Sequence, residues 1–169
     1  MNGARDVHKH VEKLNRLVDG IRIAMLVTAD ADGSLHSRPM ATQEIDEEGS
    51  VWFLTSASSH KIDEVRGHDR VNLAYANADD HRYVSLSGRA TLVRDRARID
   101  ELWSPAHKTW FPKGKDDPDL AVLRVAVDKA EYWDTPGGTM VVLFEYARTM
   151  LTGKPFDAGH HETLDLGGT

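Results

Sequence analysis

A chain of 169 residues, 40% hydrophobic and 28% charged, is sized for one globular domain with a substantial core. Its net charge of −6 argues against nucleic acid as the main partner, although a few local cations can still hold a phosphorylated small molecule. With no cysteine there is no disulfide or thiolate metal site; with no run near the roughly 20 apolar residues of a membrane span and no apolar leader in MNGARDVHKHVEK, no membrane partner and a cytoplasmic location are expected.

Val7, Val11, Leu14, Leu17, Val18 and Ile21 recur at helical spacing, which predicts a helix over about 5–19, ended near Gly20. The run IAMLVTA that follows is β-rich and apolar on both faces, the pattern of an interior strand. Asp30-Ala31-Asp32-Gly33 reads as a hairpin turn with Gly33 left-handed. The return strand over 34–45 places His36, Arg38, Met40 and Thr42 on one face and Leu35, Ser37, Pro39 and Ala41 on the other. Pro39 has no N–H for a ladder, so an edge or a bulge is expected there. A second turn, Asp46-Glu47-Glu48-Gly49, leads into the strand Val51-Trp52-Phe53-Leu54-Thr55.

After the small polar stretch 56–59, a short helix over 60–66 is stopped by Gly67. Strands over 70–76 and 83–93 come next, the second alternating Val84, Leu86, Ala90 and Leu92 against Tyr83, Ser85, Ser87, Arg89 and Thr91. A helix over 96–103, a proline-rich loop over 104–119 and a long strand over 121–134 complete the barrel region, about 22–134. Met140, Phe144, Ala147 and Leu151 predict a C-terminal helix over about 139–152, and the polar, glycine-rich tail 157–169 reads as lacking order. About six antiparallel strands with helices at the ends and between strands make a mainly β, α+β single domain: a closed or partly closed barrel.

Arg38 and Lys61 are the first candidates for chemistry. Lys61 opens a short helix just after Ser58 and Ser59, where free N–H groups and the positive end of the helix dipole suit a phosphate. Arg38, from a neighbouring strand, would add a bidentate fork. The plainer reading is two solvated cations and an ordinary N-cap at Ser59, and residue physics alone favours it. Trp103, Trp110, Phe111 and Trp133 gather in the C-terminal half. They suit either stacking on a planar ligand or packing in a core and subunit interface. Of the 9 histidines, His8 and His10 point in different directions on a helix and His160-His161 lies in the tail, so no metal site is expected. Ser58 to Lys61 matches S-x-x-K, but without S-D-N or K-T-G elements it carries no penicillin-recognising chemistry. No nucleophile elbow, P-loop or dinucleotide glycine fingerprint is present.

Three motifs in order, Ser37-Arg38-Pro39-Met40, Trp52-Phe53-Leu54-Thr55 and Ser58-Ser59-His60-Lys61, resemble the pyridoxamine 5′-phosphate oxidase-like family, the FMN-binding split barrels. Within that family the chain is similar to the general stress protein 26 group, over about 23–164. The resemblance implies a six-stranded antiparallel split β-barrel, and a homodimer with FMN at the subunit interface. It implies that Arg38 contacts the flavin phosphate or ribityl chain, with Pro39 and Met40 lining the cofactor. The backbone at Phe53, Leu54 and Thr55 would run beside the isoalloxazine ring, and Ser59 and Lys61 would form the phosphate-binding turn. Ser85 and Ser87 would supply polar contacts. Glu131-Tyr132-Trp133-Asp134 is similar to a family strand whose tryptophan, here Trp133, reaches the flavin from the partner subunit, and Trp110 and Phe111 look like the segment over the flavin face.

The acidic end Glu162-Thr163-Leu164-Asp165-Leu166 departs from the basic and histidine residues with which true oxidases of this family hold their substrate phosphate. Vitamin B6 oxidation is therefore not implied. The expectation is an FMN-dependent oxidoreductase of unknown small-molecule substrate, with His60 and Tyr83 as candidate proton relays. The alternatives are a flavin carrier or sensor without turnover, and a barrel using F420 or haem.

Overall fold

Two successive hairpins start the sheet, and a computed structural model describes it over residues 3–134 and 160–166. Strand β1 (Ile23–Ala29) turns through Gly33 into β2 (Leu35–Ile45), and β2 turns through Gly49 into β3 (Ser50–Ser56). Both turn glycines have positive φ, 84° and 82°, the backbone that the two acidic turns require. Helix α2 (His60–Gly67) leads to the pair β4 (Arg70–Asn77) and β5 (Arg82–Val93), and β4 docks on β1. After α3 (Arg96–Leu102) and a short 3-10 helix (Pro105–Thr109), the long β6 (Leu120–Asp134) pairs with β5 on one side. On its other side the first half of β6 pairs with β3 from Ser50↔Ala126 to Ser56↔Leu120, and this closes the ring. The result is a closed six-stranded antiparallel barrel of the split-barrel type, ordered β3-β2-β1-β4-β5-β6.

The polar tail is not wholly without order. Residues His160–Asp165 form a seventh strand, β7, added to the second half of β6, where β3 no longer reaches. Leu164 and Leu166 fill the core, and Glu162 accepts hydrogen bonds from Lys13 at 2.7 Å and from Tyr132. The alternation apolar-in, polar-out is therefore present in β7, though too short to stand out beside glycines. The C-terminal helix expected over 139–152 lies outside the described residues.

Leu26, Phe53, Leu73, Leu86 and Leu123 fill the barrel interior. Helix α1 (Gly3–Val18) adds Val11, Leu14, Leu17 and Val18 to that core, and its end is closed by the Arg82 guanidinium, which donates to the carbonyls of Arg16 and Asp19 at 3.0 and 2.9 Å. A second cluster lies outside the wall, where Leu54, Ile99, Leu120 and Val122 pack with Trp52, Trp103 and Phe111 beneath α3. Strands β3 and β6 are thus covered on both faces, whereas β1 is not. Strand β1 is interior in the sheet, but Ile23 and Met25 remain exposed on the outer side of the wall. At Pro39 the edge expectation holds locally. β3 pairs with β2 only from Thr42 onward, and because Thr42 N–H donates across to Arg22, the odd-numbered position 39 faces away from β1. The bulge lies further on, between Thr42 and Glu44. Among the described residues no helix is long and apolar enough to cross a membrane.

Candidate functional site

The inward row of β2 runs from core to rim: Met40 is buried, Arg38 is half-buried and His36 is exposed. That gradient presents the Arg38 guanidinium at the end of the barrel covered by α2, where it meets Glu64 at 2.7 Å. Glu64 is only 1% exposed, and its Oε2 also accepts a 2.5 Å hydrogen bond from the buried Thr28 hydroxyl of β1. Burial alone would push the Glu64 carboxyl up. The bonds from Thr28 and Arg38, with the Arg38 charge, outweigh it and hold the group below the usual carboxylate range.

At the start of α2 the two serines play different parts. Ser58 is committed to the loop: its N–H and hydroxyl donate to the Asp119 carboxylate at 2.9 and 2.7 Å, so it offers no donor to a ligand. Ser59 occupies the N-cap position with extended backbone, yet its side chain makes no capping bond; its hydroxyl donates back to the Ser56 carbonyl at 2.7 Å. The ordinary N-cap reading of Ser59 is therefore wrong, and the first N–H groups of α2 are left without a side-chain acceptor. Lys61 donates to Ser59 Oγ at 3.0 Å. Burial pushes its ammonium below the usual lysine range, Arg38 pushes the same way, and Glu64 opposes. Arg38 thus holds the carboxylate, while Lys61 stands at the uncapped helix start with the Ser59 hydroxyl as its partner. Close by in sequence, the Thr55 hydroxyl at the end of the inward row of β3 is buried with no hydrogen-bond partner.

The remaining predicted residues separate into distinct places. Phe53 lies in the barrel core and Leu54 in the outer cluster, so any contact these two residues make to a ligand is through backbone. Phe111 packs in the outer cluster beside Trp103, at 6.4 Å between ring centroids, while Trp110 is 68% exposed. Pro39, Ser85, Ser87 and Trp133 project from the outer side of the wall. Register places Pro39, Met25, Ala74 and Ser85 in one row across it, and Ala41, Ile23, Tyr83 and Trp133 along the next. Asn72 donates to Ser85 Oγ at 2.8 Å, and Trp133 stacks on His161 of β7 at 4.9 Å. Ser59, Arg38 and Lys61 come together; within this chain, the serine–tryptophan face stands apart from them.

Glu64, Thr28 and Asp119 were missed in the sequence. A helix carboxylate reads as solvated unless its face is worked out, and here Glu64 lies three residues from Lys61 and falls beside the buried Ile62 and Val65. Tyr75 was missed too: it is buried with its hydroxyl 2.8 Å from Thr42 Oγ1, and burial raises its phenol to about 12.

A closed antiparallel barrel with a cationic, donor-rich rim defines a class of small-ligand-binding split barrels. The family model for "pyridoxamine 5′-phosphate oxidase like" matches residues 9–157, and the chain belongs to that family. A Neurospora crassa relative, protein bli-3, is 27% identical over 155 residues, covering 86% of this chain and 74% of its own. A structure from Jannaschia sp. CCS1 described as general stress protein 26 superposes with a TM-score of 0.73 at 26% identity, covering 93% of this chain and 98% of that one. The general stress FMN/FAD-binding protein of Xanthomonas citri is 33% identical, with a TM-score of 0.65 over 77% of this chain and 92% of that one.

Proposed function

We propose that this protein binds FMN, with the phosphate held by Arg38, Lys61, the first N–H groups of α2 and the hydroxyl of Ser59, which turns to it from the Ser56 carbonyl. The observation that carries this reading is a helix start without a side-chain cap, where the half-buried Lys61 has the Ser59 hydroxyl as its partner, next to the Arg38–Glu64 ion pair. A dianionic phosphate there adds the negative charge that Lys61 is short of, and accepts from N–H groups that have no other side-chain acceptor. The unpartnered Thr55 hydroxyl fits the same ligand, and the Xanthomonas relative's flavin supports this choice of cofactor over F420 or haem. FMN supplies hydride and single-electron chemistry when bound, and the protein's part is to bind and orient it.

The outer face of the wall completes the proposal. Ile23, Met25, Tyr83 and Trp133 are exposed large apolar residues on adjoining rows of one sheet face, which supports burial against a second copy of the chain. In such a homodimer Trp133, Ser85 and Ser87 would approach the partner's cofactor, and Met40, Pro39 and Trp110 the chain's own. The activity best supported is that of an oxidoreductase on a small molecule.

The test is the absorption spectrum of the freshly purified protein, then titration of the apoprotein with FMN, F420 and haem. A yellow protein with a flavin spectrum and one FMN per chain is expected. A protein that ignores FMN and takes F420 or haem contradicts the reading. Anaerobic addition of NADH or NADPH then separates an oxidoreductase, which bleaches, from a carrier, which does not.

A further inference from the structure

Beside the phosphate cradle three side chains converge, Asp30, His60 and Glu64, the last through the oxygen that Arg38 does not use. Asp30 ends β1, and the other two sit four residues apart on α2, so that they share one face of the helix. Their nearest donor atoms all lie within 4.8 Å of one another. His60 Nε2 is 3.4 Å from Glu64 Oε1 and 3.9 Å from Asp30 Oδ2.

Each carboxylate is held by one oxygen and free at the other. Glu64 Oε2 is fixed by Thr28 and Arg38, whereas Oε1 is buried and has no hydrogen-bond partner. Asp30 Oδ1 accepts the Ala31 N–H at 2.7 Å, and Oδ2 faces His60. His36 Nε2 approaches that same Oδ2 from the other direction, at 3.9 Å. A buried acceptor with an open lone pair costs free energy unless something donates to it or coordinates it. Here the group best placed to face it is an imidazole that is 71% exposed and therefore free to turn.

We propose that Asp30, His60 and Glu64 form a binding site for a divalent first-row transition ion, zinc being the natural occupant. One imidazole and two carboxylates are a borderline-hard donor set that such ions accept. Bonds of about 2.0–2.1 Å to each donor would set tetrahedral ligands roughly 3.3 Å apart; the His60–Glu64 spacing of 3.4 Å already meets this, and turning the Asp30 carboxylate together with the exposed imidazole brings in the third donor. Thr28 and Arg38 then act as outer-shell partners that orient Glu64, the arrangement by which metal carboxylates are usually tuned. The fourth position faces solvent, on the exposed side of His60. The sequence expectation of no metal site was drawn from histidine pairs; the cluster joins one histidine to two acids from segments distant in the chain. The site does not require flavin binding, since Glu64 faces the ion through Oε1 and leaves Oε2 to Arg38.

The test is calorimetric titration of the untagged full-length protein with zinc chloride, supported by the visible absorption of cobalt(II) in the same protein. Saturable binding of one zinc per chain is expected. His60→Ala and Asp30→Asn should each weaken it by about tenfold or more, while His161→Ala and His10→Ala leave it unchanged. His60 is exposed, so its removal should not disturb folding, and far-UV circular dichroism checks this. Absence of saturable zinc binding by the wild type overturns the proposal. So does binding that persists in both His60→Ala and Asp30→Asn, or that is lost equally in the His161→Ala control.

Discussion

Glu64 is the residue on which the Arg38 cation of the rim depends. Its carboxyl is held below the usual range in the fold, so the stability it contributes is present above the ordinary value of 4.5 and is lost as pH falls through the lower folded value. Replacing it with Gln should therefore destabilise the protein at neutral pH by about 1–3 kcal/mol, because Arg38 loses its partner while partly buried. The same variant should lose less of its stability between neutral and acid pH than the wild type does. Urea unfolding of both proteins across that range measures the effect, and parallel curves would sink it. Arg38 and Lys61 were legible as a pair because their motifs fall in order on a strand and a helix start. What makes them a site was not legible: Glu64 looks like any surface acid of a short helix, and Thr28 like any member of an apolar strand. The commitment of Ser58 was illegible for the same reason, since its acceptor, Asp119, is distant in sequence and only the fold brings the two together.

The strands were legible almost to their ends, because alternation and turn chemistry agree with each other along β1 to β6. Closure of the barrel was not, since the β3–β6 pairing joins residues some seventy positions apart. Nor was β7, whose order comes from β6 and from α1 and not from its own composition. Trp103 and Phe111 show the limit of reading aromatic residues: they fill a packed cluster under α3, and of that group Trp110 and Trp133 alone stay exposed. One position tests the register of the wall. Gly88 sits where the β5–β6 register shifts, and a Cβ there would lie 2.2 Å from the Ala126 carbonyl oxygen. Because that neighbour is backbone in a barrel strand, Gly88→Ala should cost on the order of 2–4 kcal/mol, or prevent folding. A melting temperature unchanged from the wild type would show that β5 and β6 do not meet in this register.

At the scale of the whole molecule, the proposed homodimer and the proposed cofactor make separable demands. Met25→Glu places a charge in the middle of the exposed apolar rows of the outer face without touching the rim. Sedimentation should then give the mass of one 18.8 kDa chain for the variant and of two for the wild type; equal masses would remove the dimer from the account. The flavin claim is tested most directly by titrating FMN into apoprotein of the wild type and of Lys61→Ala and Arg38→Ala, following the quenching of flavin fluorescence. Each substitution removes a charge-assisted contact to the phosphate and should raise the dissociation constant about tenfold or more, equivalent to ~1.4 kcal/mol or above. An FMN affinity that is the same in all three proteins would show that the phosphate is not held between Arg38 and Lys61.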